Sequence, residues 1–556
     1  MRPFLRLGPL ASAASLALGL GAAACTGESA AVCTTCEAVD TIGFDIALAG
    51  DVTLLGGSVG EVEVTVTRTG VPGAVVVSAQ GLPANVSAST LTIPSGETKG
   101  KLALTALPAA LHGRHTITIV GADVEAKVRR ERPTSLLVRG APGALDTSYG
   151  TGGRAEAAFG GASVALAGIA VQPDGSVLAA GSAKSDFVVG RFDANGKLDE
   201  AYGASGYAVV NHRAEEGTDE LARALALAPG GKPVVGGYAV AAAPPNEYQV
   251  SRLDAAGRAD ATFDGDGTWA KPHPTAGWNA EVGAHALAVQ DDGKVLVAGF
   301  ATENRLGFVR HAIAARLAES GALDASFGGT GFIDAQATVN VDIASTSADT
   351  CNAVAVAPGG RVVCAGVTEL TPAGGGMPSK HVLVWRALPD GRRDGDFGAN
   401  GLSLVAYAPN GVDGEARSVH PLPDGSLLVT GERSQGVKAF ALRLDPTGRP
   451  DAAFGGTGIV ELAPGGGFAG HTRSAADASG RLVLVGTSGP DFDLALARID
   501  ASGKLDAAFG DAGSALVKLG TRGTVNNARV AFAPDGRVYV ATSLDGKGVV
   551  VFRLWQ

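Results

Sequence analysis

Between Ile42 and Ala126 apolar and polar residues alternate with a period near two, in short runs broken by Gly and Pro. The runs "EVEVTVTRTG", "GAVVVSAQGLP", "STLTIPSGETKGKLALTAL" and "RHTITIVGADVEAKV" predict half-buried β-strands. Beyond Ser135 the strands stay short, but the same patterns return again and again between Gly-rich turns. The chain therefore predicts an all-β protein: a sandwich first, then an array of repeats.

About seven strands fit in 41–126, which suits an immunoglobulin-like sandwich. The segment "GLPANVSASTLTIPSGETKGKLALTA" resembles the Ig-like modules of bacterial surface proteins, without the paired cysteines and core Trp of antibody domains. "KVRRERPTS", Lys127 to Ser135, is charged, contains Pro133 and reads as a linker over 127–135.

Three motifs then recur in a fixed order. An aromatic–Gly corner stands at Tyr149 ("YGTGG"), Tyr202, Phe263 ("FDGDG"), Phe327, Phe397, Phe454 ("FGGTG") and Phe509; seven copies span 360 residues, six intervals averaging 60. Between corners stands a turn followed by a strand, as in "QPDGSVLAAG", "QDDGKVLVAG" and "LPDGSLLVTG". Before each corner runs a strand carrying an Arg, as in "GRFDANGKLDEAYG" and "LRLDPTGRPDAAFG". This period and make-up predict a β-propeller with four strands per repeat: a after the corner, b before the turn, c after it, and d with the Arg. Together the motifs resemble the bacterial delta-60 repeat, which covers residues 134–556 and implies the propeller fold. The array is predicted over 136–556 with seven blades. The Arg strand occurs eight times, from "LLVRG" at Leu136 to the final "VVFRLWQ". The extra copy is either a latch closing the ring or a leftover edge.

Comparing copies locates the variation. From the Arg to the corner Gly (Asp264 in the third copy) is 12 residues in six copies, and the turn Gly to the end of strand c always takes 6. The c–d and a–b connections vary instead, with long cases at 241–247, 302–309, 368–380 and 269–283. In an antiparallel blade those two connections share one face of the ring, and variable loops on a rigid scaffold are where binding concentrates. Trp269, His273 and Trp278 border or occupy the long a–b case of the third repeat and are the candidate ligand-binding residues.

The N-terminus adds an address. Arg2 and Arg6 precede an uncharged stretch from Leu7 to Ala24 that ends "LGLGAAAC". It resembles a bacterial lipoprotein signal, which implies removal of 1–24, lipidation of Cys25, a tether over 25–40 and a membrane-anchored protein of the cell envelope. The net charge of −10 is spread along the chain with no basic stripe, so nucleic acid is not an expected partner.

Other chemistry reads as structural. The repeated Arg and the Asp three residues before each corner aromatic are needed in every blade, as a stabilising pair is and a catalytic group is not. His112 and His115 lack a third ligand, and Asp264 with Asp266 is too small a set for Ca²⁺. Cys33 and Cys36 form a CxxC with no visible redox or zinc context. Cys351 and Cys364 read as small core residues on neighbouring strands, too far apart to bridge if Ala357 pairs with Val362. "GGSVG" around Ser58 lacks the helix of a nucleophile elbow, and no Walker or HExxH motif is present. No catalytic residue, metal or cofactor is expected. The reading is a monomeric, membrane-anchored binding or scaffold lipoprotein with a protein or glycan partner; the alternative is a propeller-type glycan hydrolase or lyase with acidic residues at the channel mouth.

Overall fold

The computed structural model describes residues 43–556 except 71–72, 124, 160–162, 213–218, 241–245, 275–280, 304–308, 336–347, 371–378, 406–413, 434–437, 463–468, 521–527 and 545–547. The signal and tether readings, with Cys25, Cys33 and Cys36, lie outside the described residues, and so does Trp278. The described elements are strands, apart from two single 3-10 turns at Pro229–Gly231 and Pro358–Gly360.

Among the described residues, nine strands precede the repeats and form two sheets. One orders Gly43–Leu48, Val59–Thr69, Lys99–Ala106 and Val86–Ala88; the other orders Val52–Leu55, Val128–Arg139, Gly113–Asp123, Val75–Gln80 and Leu91–Ile93. Strand alternation turns Val62, Val64, Val66, Leu102 and Leu104 of the first toward Val75, Val77, Ile117 and Ile119 of the second, in one core. The expected linker 127–135 is instead strand. Gly113–Asp123 pairs with Val128 through Val138 of Val128–Arg139, while Val52–Leu55 covers only Leu136–Arg139 on the other side. Residues 128–135 are thus a sheet edge, where charge and Pro133 are tolerated. Leu136 and Val138 are buried in the sandwich core. The expected array boundary at 136 therefore moves to Gly140, and "LLVRG" does not latch the ring.

The repeats form seven four-stranded sheets among the described residues. Their first strands are Ala165–Val171, Asp219–Ala228, Val282–Val289, Thr350–Ala357, Gly414–Pro421, Ala469–Ala476 and Arg529–Phe532. Each first strand lies against the next, and the last lies against the first, so they form the inner wall of a closed ring. Sheets are offset by one strand from the sequence repeat. The short strand after each corner pairs with the Arg strand just before it, as Tyr207–Val210 does with Asp186–Phe192. The corner is therefore a hairpin inside a blade, and the a–b connection crosses from one blade's outer edge to the next blade's inner strand. The last blade takes its outer strand from the other end of the array, with Arg154 opposite Phe552 and Ala157 opposite Val549. Separate apolar clusters fill the gaps between consecutive blades, including the gap between the last and the first.

The corners bind blade to blade. In five copies (Arg191, Arg252, Arg316, Arg386 and Arg498) the Arg Nε donates to its corner Asp at 2.7–2.9 Å. In the same five the guanidinium lies 4.5–4.9 Å over the buried corner ring. In the last blade Arg553 does both jobs across the chain ends, 2.9 Å from Asp146 and 4.7 Å over Tyr149. The first N–H after each aromatic donates to a carbonyl in the next blade's pre-corner turn at 2.6–2.9 Å, from Gly150 to Asn195 round to Gly510 to Pro142. That contact leaves no room for a side chain in the receiving turn. A Cβ on Gly391, at φ +87°, would lie 2.7 Å from the nitrogen of Gly328.

Cys351 and Cys364 require a correction, because they form a disulfide with Cα atoms 5.8 Å apart. The turn pairs Ala357 with Arg361 rather than Val362, and a bulge between Cys351 and Ala353 shifts the register. Cys351 then stands opposite Gly366 and Cys364 opposite Val354, diagonal neighbours within bridging range.

Candidate functional site

Antiparallel pairing fixes which loops share an end of each sheet. Tyr248 pairs with Tyr238 on one side and Lys271 on the other. The c–d connection after Val240 and the a–b connection after Lys271 therefore leave the same end. The third and fourth blades repeat this, with His311 opposite Ala301 and Ala312 opposite Ala335, then Val382 opposite both Val367 and Val405. The long connections expected to vary rise from one face, while the turns after each inner strand and the corners occupy the other.

Two of the three candidate ligand residues are not exposed on that face. Trp269 is 2% exposed, in the core between the second and third blades. It pairs with Val250 at the position held by Ala208, Ser403 and Ala515 in other outer strands. Aligning the repeats on their corners would have placed it there. His273 is 6% exposed with its ring edge-on to Phe332, 5.0 Å between centroids. At the "FDGDG" corner, Asp266 accepts from the amide and hydroxyl of Thr268, and the Asp264 amide makes the corner link to Ser320. No cluster of metal-ligating side chains occurs among the described residues.

Sequence reasoning missed the central channel. All seven inner strands line a cavity of about 300 Å³ on the ring axis. In the first five blades each inner strand carries a bulge at the same point, for example between Ala222 and Ala224 and between Ala416 and Ser418. The extra residue lines the channel: Ala167, Arg223, His285, Asn352 and Arg417. Arg473 and Arg529 join the wall from the last two inner strands. The bulge residue always stands eight before the turn Gly, and this is the position where the copies differ in chemistry rather than in length.

The channel polar groups form a chain. His285 Nδ1 lies 3.1 Å from Asn352 Oδ1, and Asn352 Nδ2 donates to Glu415 at 2.9 Å. Arg417 contacts both Glu415 and Glu432 at 2.9 Å. Below them the channel opens into a funnel of about 880 Å³, walled by inner-strand ends and the turns that follow them. A further cleft of about 800 Å³ lies between sandwich and ring, where the Trp555 indole meets His112 and Arg139.

Burial holds the imidazoles of His273, His285 and His420 neutral, each lowered to about 4. An unfolded histidine titrates near 6.5. The unfolded chain therefore binds more protons between these values, so stability falls as pH drops from about 6.5 to about 4 and these groups take no more below that. The corner carboxylates behave oppositely. The Ser326 and Arg316 hydrogen bonds outweigh burial and hold Asp324 at about 2, so its contribution persists through that window and is lost only in stronger acid. The expected result is a thermal midpoint that declines from pH 6.5 to 4, and declines less in His420→Gln. A flat profile across that range would contradict the buried-imidazole assignment.

The family model described as "Domain of unknown function (DUF5122) beta-propeller" matches residues 172–202, 290–327 and 478–509. Comparison with curated proteins gives no match. Among solved structures, the apo form of prolyl oligopeptidase B from Galerina marginata is 12% identical, over 68% of this chain and 46% of that one, with a TM-score of 0.34. The H698A form of the same enzyme, bound to a 35mer hydrolysis and macrocyclization substrate, is 13% identical over 68% and 54%, with a TM-score of 0.29. The chain spans about half the length of these structures. With the recurring corners, the pairing of the sheets and the three matched segments in agreement, this chain is a β-propeller repeat protein.

Proposed function

We propose that the chain is an exported lipoprotein, anchored through Cys25, whose seven-bladed propeller serves as a binding scaffold and recognises a protein or glycan through its c–d and a–b loops. The delta-60 resemblance and an immunoglobulin-like character for the sandwich belong to the same reading. The propeller fold suggests a binding or scaffold role, and one observation carries the finer proposal. The connections that differ most between repeats leave the sheets at one shared end, while the fixed ones leave at the other. The Cys351–Cys364 bridge supports export, because disulfides persist in oxidising compartments. The hydrolase alternative needs two carboxyl groups free to act as acid and base. The channel's Glu415 and Glu432 are both engaged by Arg417.

The test is a glycan-array and pull-down screen with the full chain, then with variants shortened within 241–245, 275–280, 304–308 and 371–378. These cuts leave Trp269 and His273 in the core. Binding is expected to fall at least about tenfold in one or more shortened variants, a loss of about 1.4 kcal/mol. Full binding after all four cuts would refute the loop-face assignment.

A further inference from the structure

Backbone strain singles out one hairpin on the variable face. Outside the corners, the described non-glycine residues of the ring with positive φ are Lys184 at +51°, Ser185 at +66° and Phe492 at +54°. All three stand in c–d turns, in the first and sixth blades. The corner cases Ser205, Asp264, Asn400 and Ala512 follow the repeat, and these three do not. Ala183 pairs with Asp186, so Lys184 and Ser185 are the whole of a two-residue turn. Positive φ at both central residues is type I′ geometry, which suits Asn-Gly and strains Lys-Ser. The turn is held in it from the next blade. Ser185 Oγ donates to Asp219 at 2.6 Å, and the Ser185 carbonyl accepts from the Glu220 amide at 3.1 Å. Glu220 is itself fixed, since it accepts from the His212 amide at 3.0 Å and lies 3.1 Å from the His212 ring. The Lys184 and Ser185 side chains are exposed, so core packing does not explain their presence in the turn. Strain that the surroundings enforce and packing does not require points to contact with a partner.

We propose that the hairpin Ala183–Asp186 is a contact point for a neutral glycan on the variable-loop face, with Lys184 and the carboxylates at the foot of the turn bonding to sugar hydroxyls. This rests on the loop-face reading above and narrows it to one turn and one class of partner. Lys184 brings an ammonium with three donors, and Asp186 and Asp219 bring acceptors. Charge selects the partner. By sequence, the connection that follows His212 carries Arg213, Glu215 and Glu216, which leaves this stretch of the face acidic. An anionic polymer meets several carboxylates for one ammonium, and a cationic one meets Lys184 at the tip. A neutral polyhydroxylated chain uses donors and acceptors together, and hydrogen bonds to charged groups are the stronger ones. A tip fixed beforehand also loses little freedom when the partner arrives.

The test makes two variants of the full chain and reads each in two ways, by thermal midpoint and on an array of neutral, acidic and basic glycans. The double variant Lys184→Asn, Ser185→Gly keeps the turn and removes its strain. Its midpoint is expected to rise by about 2 °C, while binding to neutral glycans falls at least about tenfold. Lys184→Gln keeps the strain and removes the ammonium, so binding falls with the midpoint unchanged. A double variant with no rise overturns the strain. Full binding in both variants overturns the contact. A wild-type chain that binds acidic or basic glycans, or a protein and no neutral glycan, overturns the partner class. The loop-face reading is tested separately: if the shortened loops lose binding and these variants keep it, that reading stands and the hairpin assignment alone falls.

Discussion

Replacing Asp146 by alanine is expected to destabilise this protein more than the same change at the Asp451 corner. Asp146 is 0% exposed and lies 2.9 Å from Arg553 and 2.8 Å from Arg537. Its removal leaves Arg553 facing no carboxylate among the described residues and Arg537 with Asp535 alone, in the seam where the ends of the array meet. Breaking a buried pair from one side costs about 3–5 kcal/mol. The Asp451 side chain is 25% exposed and 3.2 Å from Arg443, so its loss costs about 1 kcal/mol or less. Calorimetric midpoints of Asp146→Ala and Asp451→Ala provide the comparison. Hydrogen exchange adds a local reading, since Arg154–Ala157 should lose protection first. Equal midpoints for the two variants would mean that the closing blade holds the ring no more tightly than the others.

The second large effect is expected from the disulfide. Cys351 and Cys364 are 13 residues apart and fully buried between the third and fourth blades. A bridge closing a loop of this size contributes about 3 kcal/mol. Reduction should therefore lower the midpoint of the wild-type chain and leave a Cys351→Ala, Cys364→Ala double variant unaffected. The double variant should match the reduced wild type. A wild-type midpoint indifferent to reductant, with both thiols titrating as free, would rule the bridge out.

The sequence carried the repeat and hid its phase. Corners, turns and Arg strands were legible because each must satisfy the same link to the next blade. The residues of that link therefore vary little, as in the Arg–Asp pairs of five blades. Phase was hidden because a strand after a corner has the same alternation whether it opens one blade or completes another. The bridge was hidden for a related reason. One bulge near Cys351 moves the pairing by one residue, and no local composition announces it. Residues 127–135 read as a linker because the unpaired edge of the strand Val128–Arg139 is as charged as a loop. Channel chemistry was in plain view at the position eight before the turn Gly in the first five blades, but loop length drew attention to the other face.

The closing blade also decides how tension would travel. The chain enters the ring at Gly140, beside the contacts of Gly143 and Ala144 with Trp555. A pull through the N-terminal segment, with the ring held by a bound partner, meets this junction before any other blade. The four residues Arg154–Ala157 and the Asp146–Arg553 pair bear it first. Under force the protein should yield as a hinged bracelet does at its clasp: one blade parts while the others remain paired.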